Sequence, residues 1–453
     1  MYQESSKHIP TESYDVVVAG GGTGGVLAAL AAARQGASTA LVELKGYTGG
    51  IAVEGGTALH SYYNLWKAFP GVEMRQVVKG IPQEIVDRLA AAGGTSGHAE
   101  MVAGYDYDSV CTAIDTEIYK WVTLQMLEEA GVHLCLNTML ADAIVEDGHV
   151  AGAIVESHQG RAALMAKAFV DTTGYGDLCA RAGADYVEPN DYPVVNSIGL
   201  AGVSVEGLYE FLTSHDALSQ AALGWRDGQD EALVRVQGRR AMLPEGFAKG
   251  AAEIGMSVVT TTVHDDYFMF IKINYKMDVI PTDRDAASKA EVELRRRQAR
   301  AVELFREFVP GCERAFITRT SPSMTIRRGR LITCDYDITS EDVLDAVHFD
   351  DDIMAYGFHD FAPRLQIKDG GTYGIPYRAL RVAGLDNLLA AGMMITSNHD
   401  AHMSTRNTVA CMGQGQAAGT AAALCALGGL GTRELDYGVL RDALLKAGVV
   451  LEN

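Results

Sequence analysis

Two short stretches at opposite ends of the chain carry residue types that could do chemistry. The first is SNHDAHMSTRN at 397–407, where His399, His402 and Arg406 share one segment. An imidazole titrates near neutrality, so either histidine is a candidate general base for a hydroxyl or amine proton. Arg406 is suited to a two-pronged grip on a carboxylate or other anion. The H-x-x-H spacing also fits metal ligation, but no third and fourth ligand stands at a useful spacing, so no metal is assigned. The second stretch is VVVAGGGTGGVLAALAAARQG at 16–36, where Gly20, Gly22 and Gly25 fall on the G-x-G-x-x-G spacing. There, Gly20 permits a tight turn, Gly22 lets the backbone approach a pyrophosphate, and Gly25 lets helix pack on strand. Free N–H groups at the following helix start, around Thr23 and Gly24, favour phosphate. The motif points to an adenine dinucleotide.

These residues need elements to hold them. Val16 to Ala19 reads as a buried strand and Val26 to Arg34 as a helix, while STALVEL at 38–44 reads as a second strand ending in Glu43. An acid about 20 residues beyond such a turn is placed for ribose hydroxyls. The segment 46–66 has two glycine pairs, Gly49–Gly50 and Gly55–Gly56, followed by aromatics around His60. It suits an irregular loop whose backbone approaches something closely. His60 is a further candidate to face a substrate, with Tyr62 and Tyr63 as a stacking wall.

Residues 112–130 form a helical pattern with Ile114, Ile118, Trp121 and Leu124 or Met126 on one face. A small meander follows over 132–157, turning at Asp147–Gly148. AFVDTTGYGDLCARAGA at 168–184 is again a strand running into glycines, through Thr173 and Gly174. A second nucleotide fold would need its own G-x-G-x-x-G and acid, which TTGYGD does not supply. Within 190–325 the clearest element is an amphipathic helix over 287–309, with Leu294, Ala301, Val302, Phe305 and Val309 inward and Arg295 to Arg297 on the solvated face. The chain then returns to nucleotide-fold character: a strand over 385–396 ends at Gly392, and a long Ala/Gly helix spans 405–429. Its glycines at 413, 415 and 419 each cost about 1 kcal/mol against alanine, so close approach to another backbone or to a flat ligand is expected.

With 453 residues, two to three domains are expected; 48% apolar and 21% charged residues describe a globular chain with a sizeable core. A formal charge of -20 argues against nucleic acid and anionic membrane surfaces as partners and leaves a small-molecule substrate. The first residues lack a basic, then apolar, leader and no 18-residue apolar run occurs, so no membrane span and a cytoplasmic location are expected. Seven cysteines without a C-x-x-C pair make neither a disulfide frame nor a zinc site.

In this order, VVVAGGGTGGVLAALAAARQGASTALVE, TGGIAVEGG, FVDTTGYGDLCARAGAD, YGIPYRALRVAGLDNLLAAG and SNHDAHMSTRNTVACMGQGQAAGTAAAL resemble the FAD-dependent oxidoreductase family. The likeness is to the glutathione-reductase-like two-domain flavoproteins, near the fumarate-reductase branch. It implies an α/β fold: a Rossmann-like FAD-binding domain, with a central parallel sheet flanked by helices and a small β-meander, plus an inserted α+β substrate domain. The expected division is 1–190 and 326–453 for FAD, with 191–325 as the substrate domain. By resemblance, Gly20, Gly22, Thr23, Gly24, Gly25, Gly49, Gly50, Thr173, Gly174 and Gly392 hold FAD, Glu43 takes its ribose, and Gly413, Gln414 and Gly415 face the flavin. The family's arginine-rich stretch stands here as SPSMTIRRGRLITCDYDIT, departing from the common form at Arg327, Arg328 and Arg330. The expected reaction is hydride transfer from a small alcohol, sugar, amine or hydroxy acid to the flavin, with His399 or His402 as base. Oxygen, a quinone or a carrier protein would then be the electron acceptor. The reverse reaction, reduction of an activated C=C bond with Arg364, Arg378 or Arg406 as anion clamp, is the second expectation. A non-catalytic FAD-binding redox sensor is the third.

Overall fold

The computed structural model describes residues 8–55 and 58–451. The leader reading over 1–7 and Gly56 of the second glycine pair, with Thr57, lie outside the described residues.

The β-branched run of Val16 to Ala19 is fully buried because its strand, Thr11–Ala19, lies in mid-sheet, parallel to Thr39–Val42 on one side and Gly160–Asp171 on the other. Burial on both faces is what a continuous apolar strand requires. His133–Cys135 extends the sheet beyond Thr39–Val42, again parallel. The twelve-residue strand Gly160–Asp171 has two partners on its far side. Its first half takes the antiparallel meander His149–Ser157 and Met139–Glu146, and its end takes the parallel strand Leu388–Ala390. The late return of the chain therefore closes the same sheet. Helix Thr23–Arg34, apolar all round, is buried between this sheet and helix Thr408–Gly428.

The second unit holds two antiparallel sheets. One runs, in order, Met256–Ser257, Tyr267–Tyr275, Val194–Ala201, Phe316–Thr320, covered by helix Arg284–Phe308. Leu294, Ala301, Val302, Phe305 and Val309 point into its core as expected. The other sheet joins Gln229–Gly238 and Leu218–Arg226 to Ala99–Ala103, Val110–Thr112 and Leu59–His60. Strands from 59–112 are thus hydrogen-bonded into a sheet of the second unit, and a boundary at 190 does not describe the sheets.

Two local readings need correction. Helix Thr116–Glu129 buries Tyr119, Val122, Met126 and Leu127, whereas Trp121 is 58% exposed. Ile114 precedes the helix, which starts where the Asp115 side chain accepts from the Glu117 and Ile118 N–H groups. Counting the helical phase from Ile114 rotated the predicted face. Of the three arginines at 295–297, only Arg296 is largely in solvent. Arg297 donates to the Asn274 carbonyl at 3.0 Å and covers the Tyr275 ring, and Arg295 donates to the Ser321 carbonyl at 3.0 Å.

His264 ties the two units together. Its Nε2 meets the Asp115 cap and its Nδ1 lies 3.2 Å from Asp227. The hydrogen bond to Asp115, helped by Asp227 against partial burial, raises its pKa to about 8. Protonated His264 therefore stabilises the fold below its unfolded value near 6.5, and that contribution is lost as pH rises through 8. Thermal melts should show wild type gaining over His264→Gln at pH 6 and little difference at pH 9; a constant gap would remove the ionic role.

Candidate active site

At the glycine turn, Gly20 has φ +93°, and a Cβ there would lie 2.7 Å from the Thr172 carbonyl oxygen. A Cβ on Gly25 would lie 1.8 Å from the Gly20 oxygen, so the helix begins directly against the strand end. A Cβ on Gly22 would meet nothing nearer than 3.8 Å, leaving that backbone approachable. Gly50 lies across it, with Thr23 Oγ1 donating to the Gly49 carbonyl at 3.1 Å. The Thr172 hydroxyl reaches the Ala19 and Gly20 carbonyls, and Thr173 is fixed by buried Asp171. Gly174, at φ +73°, continues that loop.

Helix Thr23–Arg34 has no side-chain cap and no acid in its first turn, and the same holds for helix Thr408–Gly428. Both therefore present uncapped N–H groups, the first at the glycine turn and the second beside a cavity lined by Asn407 and Thr408. An approachable backbone and two uncapped helix starts fit a long cofactor whose pyrophosphate meets the first and whose electron-accepting ring reaches toward the second. Glu43 accepts from the Gly21 N–H at 2.7 Å and the Lys45 N–H at 2.8 Å. Burial raises its pKa against those two bonds. A carboxylate has about four acceptor positions, so two remain for hydroxyls.

Of the two roles expected for the glycines of this helix, the geometry supports close approach to another backbone, and a flavin-facing role for Gly413, Gln414 and Gly415 gains nothing from it. A Cβ on Gly415 would lie 2.1 Å from the Gly24 carbonyl oxygen, and one on Gly419 2.0 Å from that of Ala28. These glycines let two helix backbones touch. Gly413 packs on Met354, and Gln414 bridges the Gly392 N–H and the Thr405 carbonyl. The helix end that meets the cavity is Thr408, more than a turn earlier.

The cavity, of about 520 Å³, lies between the two units. His60 is on its wall, at the end of its short strand, with Nδ1 2.9 Å from Asp108 Oδ2. Asp108 is fully buried and accepts from the Ser61, Ser109 and Val110 N–H groups and the Ser61 hydroxyl. A carboxylate so surrounded by donors takes Nδ1–H as one more, which leaves Nε2 with the free lone pair. Nε2 has no partner among the described residues. The ring is stacked on Phe358 at 5.3 Å and meets the edge of Tyr107 at 5.6 Å. Also on the wall are Arg327 and Arg406, joined through Asp360, which also accepts from Tyr107 at 2.9 Å. Burial works against Asp360 ionisation, but Arg406, Arg327 and Lys272 outweigh it and hold the carboxyl below its usual range.

Of the other expected residues, Arg406 alone lines this cavity. His402 is fully buried, its ring bonded to Ser397 Oγ at 3.2 Å and the Arg327 carbonyl at 3.0 Å. Burial, with Arg406 and Arg328, keeps its pKa well below the usual imidazole value. His399 sits outside the wall, beside Asp400 and against Tyr192 and Phe361. The expectation that either histidine meets a substrate gains nothing from this geometry. Tyr62 is in the core with its hydroxyl on the Pro82 carbonyl, and Tyr63 packs against Trp66 and His98, so neither lines this cavity. Arg378 is paired with Asp351 and stacked on Tyr336 and Phe349, away from the cavity. Sequence reasoning missed Asp108, Asp360, Arg235 and Lys272. A lysine inside FMFIKINY was the one visible signal, because a charge interrupting a buried strand needs a partner or a use.

The sequence pattern of the FAD dependent oxidoreductase family matches residues 15–444. No curated protein matches the chain. Among solved structures the chain is similar to a geranylgeranyl bacteriochlorophyll reductase-like protein from Thermoplasma acidophilum, at 14% identity and TM-score 0.49, covering 97% of this chain and 85% of that one. It is also similar to p-nitrophenol 4-monooxygenase from Pseudomonas putida (13%, TM-score 0.46, 97% and 89%) and to the flavin-dependent brominase Bmp2 (13%, TM-score 0.46, 96% and 83%). Among the described residues no helix is long and apolar enough to cross a membrane.

Proposed function

The chain belongs to the FAD-dependent oxidoreductase family, and from that premise we propose that it oxidises a small polar molecule seated in the inter-unit cavity, with His60 as proton acceptor. The observation that carries this is the pairing of His60 with buried Asp108, which leaves Nε2 free on the cavity wall. When bound, FAD supplies the acceptor for the hydride that the substrate gives up. The residues proposed to hold it are Gly20, Gly22, Thr23, Gly49 and Gly50 at the phosphates, Glu43 at the ribose, and Thr173, Gly174, Gly392 and the start of helix Thr408–Gly428 along the rest.

In this reading His60 removes the hydroxyl or amine proton while Asp108 holds the ring in its Nδ1–H form and stabilises the imidazolium that results. Phe358 and Tyr107 keep the ring from turning. A second reading, reduction of an activated C=C bond, is favoured by Lys272 on the same wall. Burial, together with Arg327 and Arg406 and against Asp360, lowers its pKa to about 7, which makes its ammonium a ready proton donor.

The test is the visible spectrum of the purified holoprotein followed without oxygen. Bleaching of the flavin by an alcohol, sugar, amine or hydroxy acid supports oxidation. A flavin that stays oxidised until dithionite is added and recovers with an unsaturated acid selects reduction. No response to either set leaves a redox sensor as the reading.

A further inference from the structure

Positive charge is concentrated in this cavity although the whole chain has a formal charge of -20. Arg235, Arg240, Lys272, Arg327 and Arg406 line it, against one carboxylate, Asp360. That carboxylate is already committed to Arg327, Arg406 and the Tyr107 hydroxyl.

Arg235 has only neutral acceptors: the Gln220 Oε1 receives its Nε at 3.0 Å and its Nη2 at 2.7 Å, and the Gln237 Oε1 lies 3.1 Å from Nη2. Among the described residues, its Nη1 and the Nε atoms of Arg327 and Arg406 are buried without a hydrogen-bond partner. Lys272 lies on the wall with no hydrogen-bond partner for its ammonium among the described residues, and what surface it exposes belongs to the cavity. Like charges confined in a poorly solvated space destabilise one another, and donors left unused there add to the cost. An anion would offset both.

We infer that the substrate received by this cavity carries an oxyanion, a carboxylate or a phosphate, held at the Lys272 and Arg235 side of the wall. The inference rests on the reading of the cavity as the substrate site. Neutral alcohols, sugars and amines are thereby disfavoured against acids and phosphorylated molecules, because a neutral ligand would leave the charges uncompensated. The grip should be pH-dependent. The charged groups facing Lys272 are Arg327, Asp360, Arg406 and Arg235. Its ammonium is lost as pH rises through about 7, so affinity should be highest below that value and fall above it.

The experiment is calorimetric titration of the FAD-loaded protein with succinate, with inorganic phosphate, and with succinamide as the neutral counterpart of succinate. Saturable binding of at least one oxyanion, with none for the diamide, is expected; which one binds separates carboxylate from phosphate. Lys272→Met keeps the aliphatic stem and should weaken that binding by about 10- to 100-fold, the size of one lost bond to a charged group. FAD content and melting temperature of the variant check that it is folded, and Lys272→Arg, which keeps the charge, should retain binding at pH 8 better than wild type. Binding of the diamide equal to that of succinate, binding of neither anion, or an unchanged affinity in Lys272→Met would overturn the inference. Should no anion bind while a neutral molecule bleaches the flavin in a His60-dependent way, the reading of the site survives and its charge selection fails. Should an anion bind without any redox response, the reverse holds.

Discussion

Replacing His60 by glutamine is expected to slow flavin reduction by the active substrate about 10²- to 10⁴-fold, the usual contribution of a positioned base. FAD should remain bound, because His60 is on a sheet of the second unit and its hydrogen bond and ring contacts among the described residues are with Asp108, Tyr107 and Phe358, away from the glycine turn. Asp108→Asn should give a comparable loss with the imidazole still in place. An amide can present its oxygen to Nδ1–H only by turning its NH₂ toward the Ser109 and Val110 N–H donors, so the ring loses its defined tautomer. Stopped-flow reduction under anaerobic conditions measures both. His402→Gln is the contrast. Its ring is enclosed and bonded through both nitrogens, so that change should lower the melting temperature and leave reduction in the surviving folded protein within a fewfold of wild type. Normal reduction in His60→Gln together with a large loss in His402→Gln would return the proton to the buried ring.

Gly415→Ala is expected to be the most damaging of the small substitutions in helix Thr408–Gly428. In an ordinary helix interior, alanine is better than glycine by about 1 kcal/mol. Here the added methyl would lie 2.1 Å from the Gly24 carbonyl oxygen, so the helix must move off helix Thr23–Arg34. Overpacking a close contact of this kind costs about 1–3 kcal/mol, occasionally more. Because Gly24 belongs to the turn proposed to hold FAD, the same movement should lower FAD retention. Gly419→Ala, 2.0 Å from the Ala28 carbonyl oxygen, should be equally destabilising but spare FAD more, being a turn further from the glycine turn. Gly413→Ala meets only the sulfur and terminal methyl of Met354, a flexible side chain that can shift, and should be mild. Urea midpoints and the flavin-to-protein absorbance ratio measure the series. An order in which Gly413→Ala is worst would mean that the glycines face a ligand after all.

The nucleotide fold was legible because its determinants are local. A β-branched run, three glycines at fixed spacing and an alanine-rich helix specify strand, turn and helix within one short segment, and each glycine requirement follows from backbone geometry at that position. The return of the chain at Leu388–Ala390 was legible for the same reason, as an apolar strand ending at Gly392. The inward face of helix Arg284–Phe308 followed from its period. Periodicity failed at Trp121, where the true helix start is set by the Asp115 cap, a single side chain that the apolar pattern does not register.

The site was much less legible. SNHDAHMSTRN contains two histidines and an arginine, yet packing placed one histidine in the core, one at the surface and the arginine alone on the cavity wall. The pair proposed in their place joins His60 to Asp108, forty-eight positions apart, with Asp108 just before the strand that pairs with that of His60. The cation cluster draws Arg235, Lys272, Arg327 and Arg406 from four separate segments. By itself, then, the sequence determined the fold of the FAD domain and the cofactor it serves, since those follow from local backbone constraints repeated in a fixed order. Which polar groups meet, which are desolvated and what charge the cavity presents were decided only by tertiary structure, because burial and proximity are properties of how distant strands pack and not of any one segment.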